Sequence, residues 1–153
     1  MKKIGEYTAR GTVSEDETED GKPDRITLFD GRFDTGYVVT DFKVWTSNVL
    51  AGTAAAAKLS TSGTSNTARS SFFRANRIDE IAWAVTEMTT DGGTSGGFAD
   101  VIIDPDNLVV EDLYVYVRCE THETPINYLI TMEKYEISDW KGALTMAKDR
   151  AGA

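Results

Sequence analysis

The stretch Tyr37-Val38-Val39-Thr40-Asp41-Phe42-Lys43-Val44-Trp45 decides the fold class. Val38, Thr40, Phe42 and Val44 fall on one face of a period-two pattern, and Tyr37, Val39, Asp41, Lys43 and Trp45 on the other. Side chains alternate across a strand, so the pattern specifies β structure, and the mixed second face specifies partial exposure. Just upstream, Ile26, Leu28 and Phe29 run into Asp30-Gly31, with Phe33 beyond. Asp-Gly between apolar runs predicts a two-residue hairpin, because a type I′ turn needs positive φ at its centre.

Further strands follow on either side. Ile4, Tyr7, Thr8 and Val13 form a weak first strand. Ile81, Trp83 and Val85 alternate with Ala82 and Ala84, which predicts a strand packed on both faces with Trp83 in the core. After the glycine-rich connection 91–97, Phe98 to Ile103 is another strand. Asp104-Pro105-Asp106-Asn107 suits a type I turn: Pro105 presets φ and the Asp104 side chain bonds the backbone. Within Leu108 to Cys119, Leu113, Val115, Val117 and Cys119 share one face, and Tyr114 and Tyr116 the other. Ile126, Tyr128, Ile130 and Met132 alternate, then Tyr135 and Ile137 continue one residue out of phase. A β-bulge near Glu133 or Lys134 repairs such a slip.

Roughly eight strands separated by turn signals predict an all-β antiparallel sandwich, jelly-roll-like or immunoglobulin-like, formed by 1–153 as a single domain. Three segments fall outside the strand pattern. An acidic run makes 14–24 a solvated loop. The small and polar composition of 51–71 predicts a long surface loop over 46–75, with a short helix or strand inside. Residues 139–150 predict a short C-terminal α-helix. Ser138 is a good N-cap, Lys148 and Arg150 suit the negative end, and Trp140, Ala143, Leu144 and Ala147 form an apolar stripe.

Composition narrows the functional classes. The chain carries 16 basic and 25 acidic residues, a net charge of −9, so direct nucleic-acid binding is not expected. Arg69, Arg74 and Arg77 are the nearest thing to a basic patch. One cysteine, Cys119, precludes an intrachain disulfide. No apolar h-region follows Met1-Lys2-Lys3-Ile4-Gly5, and no apolar run approaches the roughly 20 residues of a membrane span, so a cytoplasmic setting is expected.

The residues that carry chemistry are sparse. His122, the only histidine, lies between acids in a predicted loop, and no second histidine completes a zinc motif. Cys119 is in phase with Val117 on the apolar face, where a thiol behaves as a small hydrophobe. A hydrolase built on Cys119 with His122 as base needs a pairing that strand geometry does not favour. No pair among the acids stands out as a glycosidase dyad, and Asp112 is expected to bond nearby backbone. Neither Asp104-Pro105-Asp106-Asn107 nor the acidic run matches a calcium loop. The glycines of 92–97 lack the Gly-Lys-Ser/Thr of a phosphate loop. The expectation is a protein without enzymatic activity, cofactor or metal, which works by contact. Trp45, Trp140 and Leu144 are the interface candidates, since aromatics concentrate at interface centres. A carbohydrate- or receptor-binding module of a phage fibre or spike, using Trp45 and Tyr37 beside Asp41 and Lys43, is the alternative.

Two stretches carry a resemblance. Ile26-Thr27-Leu28-Phe29-Asp30-Gly31-Arg32-Phe33 running on to Val38-Val39-Thr40-Asp41-Phe42 is one. Asp104 to Tyr114, continued by Asn127-Tyr128 and Glu133-Lys134-Tyr135, is the other. Together they resemble small virion-associated proteins of marine bacteriophages, over about half the chain. The resemblance implies a capsid or capsid-associated protein on a jelly-roll-like sandwich, assembled in the host cytoplasm, with itself and other virion proteins as partners. It implies no site residues.

Overall fold

The computed structural model describes residues 2–14, 23–32, 34–48, 53–65, 67–91, 94–120, 124–138, 141 and 144–145, with only the backbone of 88–91 and 94–98. Eight strands lie among them: β1 (Lys2–Ser14), β2 (Asp24–Thr27), β3 (Thr35–Thr46), β4 (Thr53–Ser60), β5 (Glu80–Asp91), β6 (Thr94–Ile103), β7 (Asp112–Cys119) and β8 (Pro125–Glu136). They form two antiparallel sheets, of order β1-β8-β3 and β2-β7-β4-β5-β6. The inner faces meet in one core, where Phe42, Leu59, Leu113, Val115, Ile126 and Ile130 are fully buried. This is the all-β sandwich that the alternation predicts.

The register of β3 corrects the reading of its two faces. Val39 pairs with Met132 and Asp41 with Thr131, so Thr40 is an extra, unpaired residue. A bulge reverses the facing of everything beyond it. Tyr37 and Val39 therefore point into the core together with Phe42 and Val44, while Thr40, Lys43 and Trp45 are exposed. The slip expected in β8 also lies elsewhere. β8 runs without an insertion, and the extra residues belong to its neighbours, Thr40 in β3 and Ile4 in β1. Tyr135 and Ile137 pack instead on a second small cluster with Val110, Phe29 and Leu108.

Asp30-Gly31 turns the chain, but not as a hairpin. β2 pairs with β7 and β3 with β8, so the turn carries the chain from one sheet to the other. Gly31 has φ +86°, the left-handed region in which a Cβ is strained. The Asp30 carboxylate accepts the Arg32 N–H at 3.0 Å and the Lys134 ammonium at 3.3 Å, which fixes the crossing onto β8.

The expected long loop 46–75 contains a central strand. Ala54 to Ala57 favour helix by intrinsic propensity, yet β4 is held between β5 and β7 with both edges paired. Tertiary pairing overrides propensity here, and small side chains let the sheets approach: Ala55 and Ala57 are buried in the core. Most of the acidic segment 14–24 and of the helix segment 139–150 lies outside the described residues. Trp83 is not in the core either. Ala82 and Ala84 take the inward positions, and Trp83 is half-buried on the outer face.

The turn at 104–107 forms as predicted, with the Asp106 N–H donating to Asp104 Oδ1 at 2.9 Å. Its last residue has a larger role. Buried Asn107 accepts the Val39 N–H at 2.7 Å and donates to the Val39 carbonyl at 3.2 Å, and Tyr37 and Val109 exchange two backbone bonds of 2.8 Å. The short segment 107–109 thus completes the outer edge of β3, with one side chain standing in for a backbone. Asn107→Ala leaves both Val39 groups unpaired in the interior and is expected to cost about 2 kcal/mol, read as a lower urea midpoint with unchanged slope. A midpoint equal to the parent's means the edge is not held by Asn107.

Candidate functional site

Sequence periodicity places Lys58 on the outer face of β4, because Ala57 and Leu59 take the core side. An ammonium there, in the middle of a five-stranded sheet, must be covered and paired. The segment 61–79 does both. It runs across the outer face through a 3-10 turn at Arg69–Ser71 and returns at Asp79 and Glu80 to begin β5. Lys58 Nζ donates to the Phe72 carbonyl at 2.7 Å and to Glu80 Oε2 at 3.3 Å. It also lies over the Phe72 ring, 4.6 Å from the centroid, and over the Tyr116 ring at 5.5 Å. Both ion-pair side chains are wholly buried.

The other oxygen of Glu80 is equally engaged. Oε1 accepts the backbone N–H of Arg74 at 2.8 Å and the indole N–H of Trp83 at 3.0 Å. Beside it, buried Asp79 accepts from Ser60 Oγ at 3.1 Å and from Arg77 Nε at 3.0 Å. Desolvation lowers the pKa of Lys58, and the charges of Glu80 and Asp79 oppose that shift. Further along, Tyr116 donates its hydroxyl to the Ser62 carbonyl at 2.8 Å and accepts the Ser65 N–H at 3.1 Å. Burial pushes this phenol up to about 12. Arg118 Nε donates to the Thr67 carbonyl at 2.7 Å, and the Arg69 guanidinium donates through Nη1 to the Cys119 carbonyl at 2.9 Å. The segment is therefore sewn to β4, β5 and β7 by buried side chains along its length.

Two surfaces remain open around this cover. Between the 3-10 turn and strands β4, β5 and β7 lies a groove of about 740 Å³, with Ala54 and Ala56 on its floor, Phe72 and Phe73 on one wall, and Arg118 and Glu87 among its polar residues. The second surface is the open side of the sandwich, where the edge strands β3 and β6 face each other. Phe42, Val44, Trp45, Ala84 and Val101 line a cleft of about 330 Å³ there. A neighbouring, mostly apolar hollow of about 320 Å³, lined by Phe73, Trp83, Val85 and Ile102 among others, shares Val85, Asp100 and Val101 with it. Trp45 on the outer face of β3 is 45% exposed, and Ile102 on the outer face of β6 is 64% exposed, so the two edge strands that flank the open side each present a large apolar group to solvent.

Of the interface candidates, Trp45 lines the cleft on this open side, and Leu144 is 55% exposed. Trp140 lies outside the described residues, as does His122. Tyr37 points inward and does not join Trp45 on a common face. Cys119 is buried, with its Sγ 3.8 Å from the Thr124 carbonyl. Asp112 is taken by structure: it accepts the Leu28 N–H at 3.3 Å and the guanidinium of Arg25. Among the described residues no group of three or more His, Cys, Asp or Glu is placed to hold a metal ion, and no helix is long and apolar enough to cross a membrane. Sequence reasoning missed Lys58, Glu80 and Ile102. Lys58 had a signal, a single charge in an otherwise small and apolar run, which is visible once 53–60 is taken as a strand. Comparison with family models, curated proteins and solved structures finds no match.

Glu80→Ala removes the carboxylate that Lys58, Arg74 and Trp83 share and takes one anion from beside a buried ammonium. It is expected to cost about 3–5 kcal/mol and to expose the 61–79 cover to trypsin after Arg74 and Arg77 in the folded state. Unchanged resistance would mean that the cover is held by other contacts. Tyr116→Phe tests the second anchor through pH. The unfolded phenol ionises near 10.0 and the folded one near 12. The stabilising hydroxyl bonds are thus complete below pH 10 and are lost as pH rises toward 12. The gap in stability between parent and variant, about 1–2 kcal/mol at neutral pH, should shrink over that window.

Proposed function

We propose that this chain is a structural subunit of a virion, a capsid or capsid-associated protein that acts by packing against copies of itself and other virion proteins. The observation that carries the reading is the open side between β3 and β6. Edge strands with exposed apolar side chains are ready partners for another protein surface, and isolated chains usually blunt them. Trp45 on β3 and Ile102 on β6 do the opposite. The narrower assignment to a virion follows the resemblance of 26–42 and 104–135 to marine phage proteins.

The sandwich is read as a jelly roll. Pairs β1·β8, β2·β7 and β4·β5 are nested, as when one long hairpin is folded over itself. The fourth nested pair would join β3 to β6. β6 pairs with β5 instead, and 107–109, which follows β6, takes the place beside β3. The C-terminal segment 139–150 is read as a short helix. Ser138 Oγ accepts the Lys141 N–H at 3.2 Å, an N-cap bond, and the Thr145 hydroxyl returns to the Lys141 carbonyl at 2.9 Å. Exposed Leu144 then offers its stripe to a partner. A role by contact, without enzymatic activity, agrees with a buried Cys119 and with carboxylates at 79, 80 and 112 that are committed to structural bonds. The net charge of −9 disfavours direct contact with nucleic acid. The expected location is the virion, assembled in the host cytoplasm.

Light scattering after size exclusion, with electron microscopy of any large species, tests the reading. The parent is expected to form symmetric oligomers, rings or shells. Trp45→Ser with Ile102→Asp should shift it toward monomer while moving stability by no more than about 1 kcal/mol, since both side chains point outward. A parent that stays monomeric at high concentration and captures no virion protein sinks the proposal.

A further inference from the structure

Lys58 and Glu80 are positioned for more than an ion pair. At 3.3 Å, the Nζ to Oε2 separation exceeds the roughly 2.8 Å of a charge-assisted hydrogen bond, although both side chains are fully shielded from water. Two N–H groups, from the Arg74 backbone and the Trp83 indole, converge on Oε1 at 2.8 and 3.0 Å. That is the donor pair an acyl-transfer site supplies to a developing oxyanion. The amine and the carboxyl carbon's two oxygens are thus separated in role: one oxygen faces the nucleophile, the other faces the donors.

We propose that Lys58 and Glu80 condense in the folded chain to an isopeptide amide between Lys58 Nζ and Glu80 Cδ. The ammonium first gives one proton to Oε2, leaving an amine beside a carboxylic acid. The amine lone pair attacks Cδ, and the electrons of the carbonyl bond move to Oε1, where the Arg74 and Trp83 N–H groups meet the charge. Collapse of the intermediate breaks the bond from Cδ to Oε2, which departs with a second Nζ proton as water. Ammonium plus carboxylate becomes amide plus water, with no oxidant or co-reactant. The proton left on nitrogen keeps the 2.7 Å hydrogen bond to the Phe72 carbonyl.

Three features favour the step. Burial removes the water that would reverse it and makes two charges costly, so a neutral amide relieves both. Desolvation also lowers the Lys58 pKa, which brings the nucleophilic amine within reach. The Phe72 and Tyr116 rings wall the nitrogen in. The product would tie β4 to the start of β5 and lock the 61–79 cover in a closed covalent loop.

Mass spectrometry of the purified, denatured full chain tests this. The expected mass is one water, about 18 Da, below that of the sequence. Trypsin should then leave Lys58 uncut and yield residues 44–69 joined to 78–118. Lys58→Arg, which keeps a cation but has no amine to acylate, should show its full mass. Full mass for the parent chain after days at pH 8 overturns the proposal. So does a water loss that persists in Lys58→Arg or maps elsewhere, such as to a succinimide at Asp30-Gly31.

Discussion

Placing the Lys58 ammonium in the middle of a five-stranded sheet obliges the rest of the molecule to answer it. Its stem cannot enter the core, which Ala57 and Leu59 fill, and its charge cannot remain dry without partners. The 61–79 segment exists, in physical terms, as that answer. It brings Glu80, Asp79 and the Phe72 carbonyl to one end of β4 and draws Tyr116 and Arg118 into the same interface. As a result the two sheets differ in kind. The outer face of the three-stranded sheet exposes Thr40, Lys43 and Trp45, whereas that of the larger sheet is buried beneath a second, polar layer over β4 and β7. Such a layer gains less from area than a hydrophobic one, but its directional bonds select one path for the covering chain.

What was legible in the sequence was mainly local. The alternation of Leu113, Val115, Val117 and Cys119 and of Ile126 to Met132 gives correct strands and correct inner faces, because burial on one side leaves a period-two record. The failures share a cause: each depended on a distant partner. The bulge at Thr40 is a property of β3 against β8 and leaves no mark in 37–45 itself, so Tyr37 and Trp45 were assigned to one face. Ala54 to Ala57 carry no β signal, and only β5 and β7 make them a strand. Asp30-Gly31 has the composition of a hairpin turn, but its flanking strands pair elsewhere.

The candidate surfaces were less legible still. Trp45 is a candidate because a large aromatic shares a strand with charges, and the fold leaves it exposed. Ile102 looked like any core residue of a strand. It is exposed because Val101 and Ile103 face inward and β6 lies at an edge. Lys58 and Glu80 are 22 positions apart, and no spacing rule joins them. Their meeting is set by the length of the cover and by a bulge at Ile81, which lies between the partners of Leu59 and Ser60.

The three-stranded sheet has its last strand in the middle. β1 and β3 do not pair with each other, and β8 is the one strand of this sheet that each pairs with. Neither can find its place in that sheet until 125–136 is available, however early it is synthesised. In the interval the edges of β1 and β3 that β8 pairs lie open. Pairings this remote in sequence are slow to form and leave a growing chain adhesive. The order of strands thus imposes a schedule: the larger sheet has a local start in the β5–β6 hairpin, and the smaller sheet closes only when β8 threads between β1 and β3.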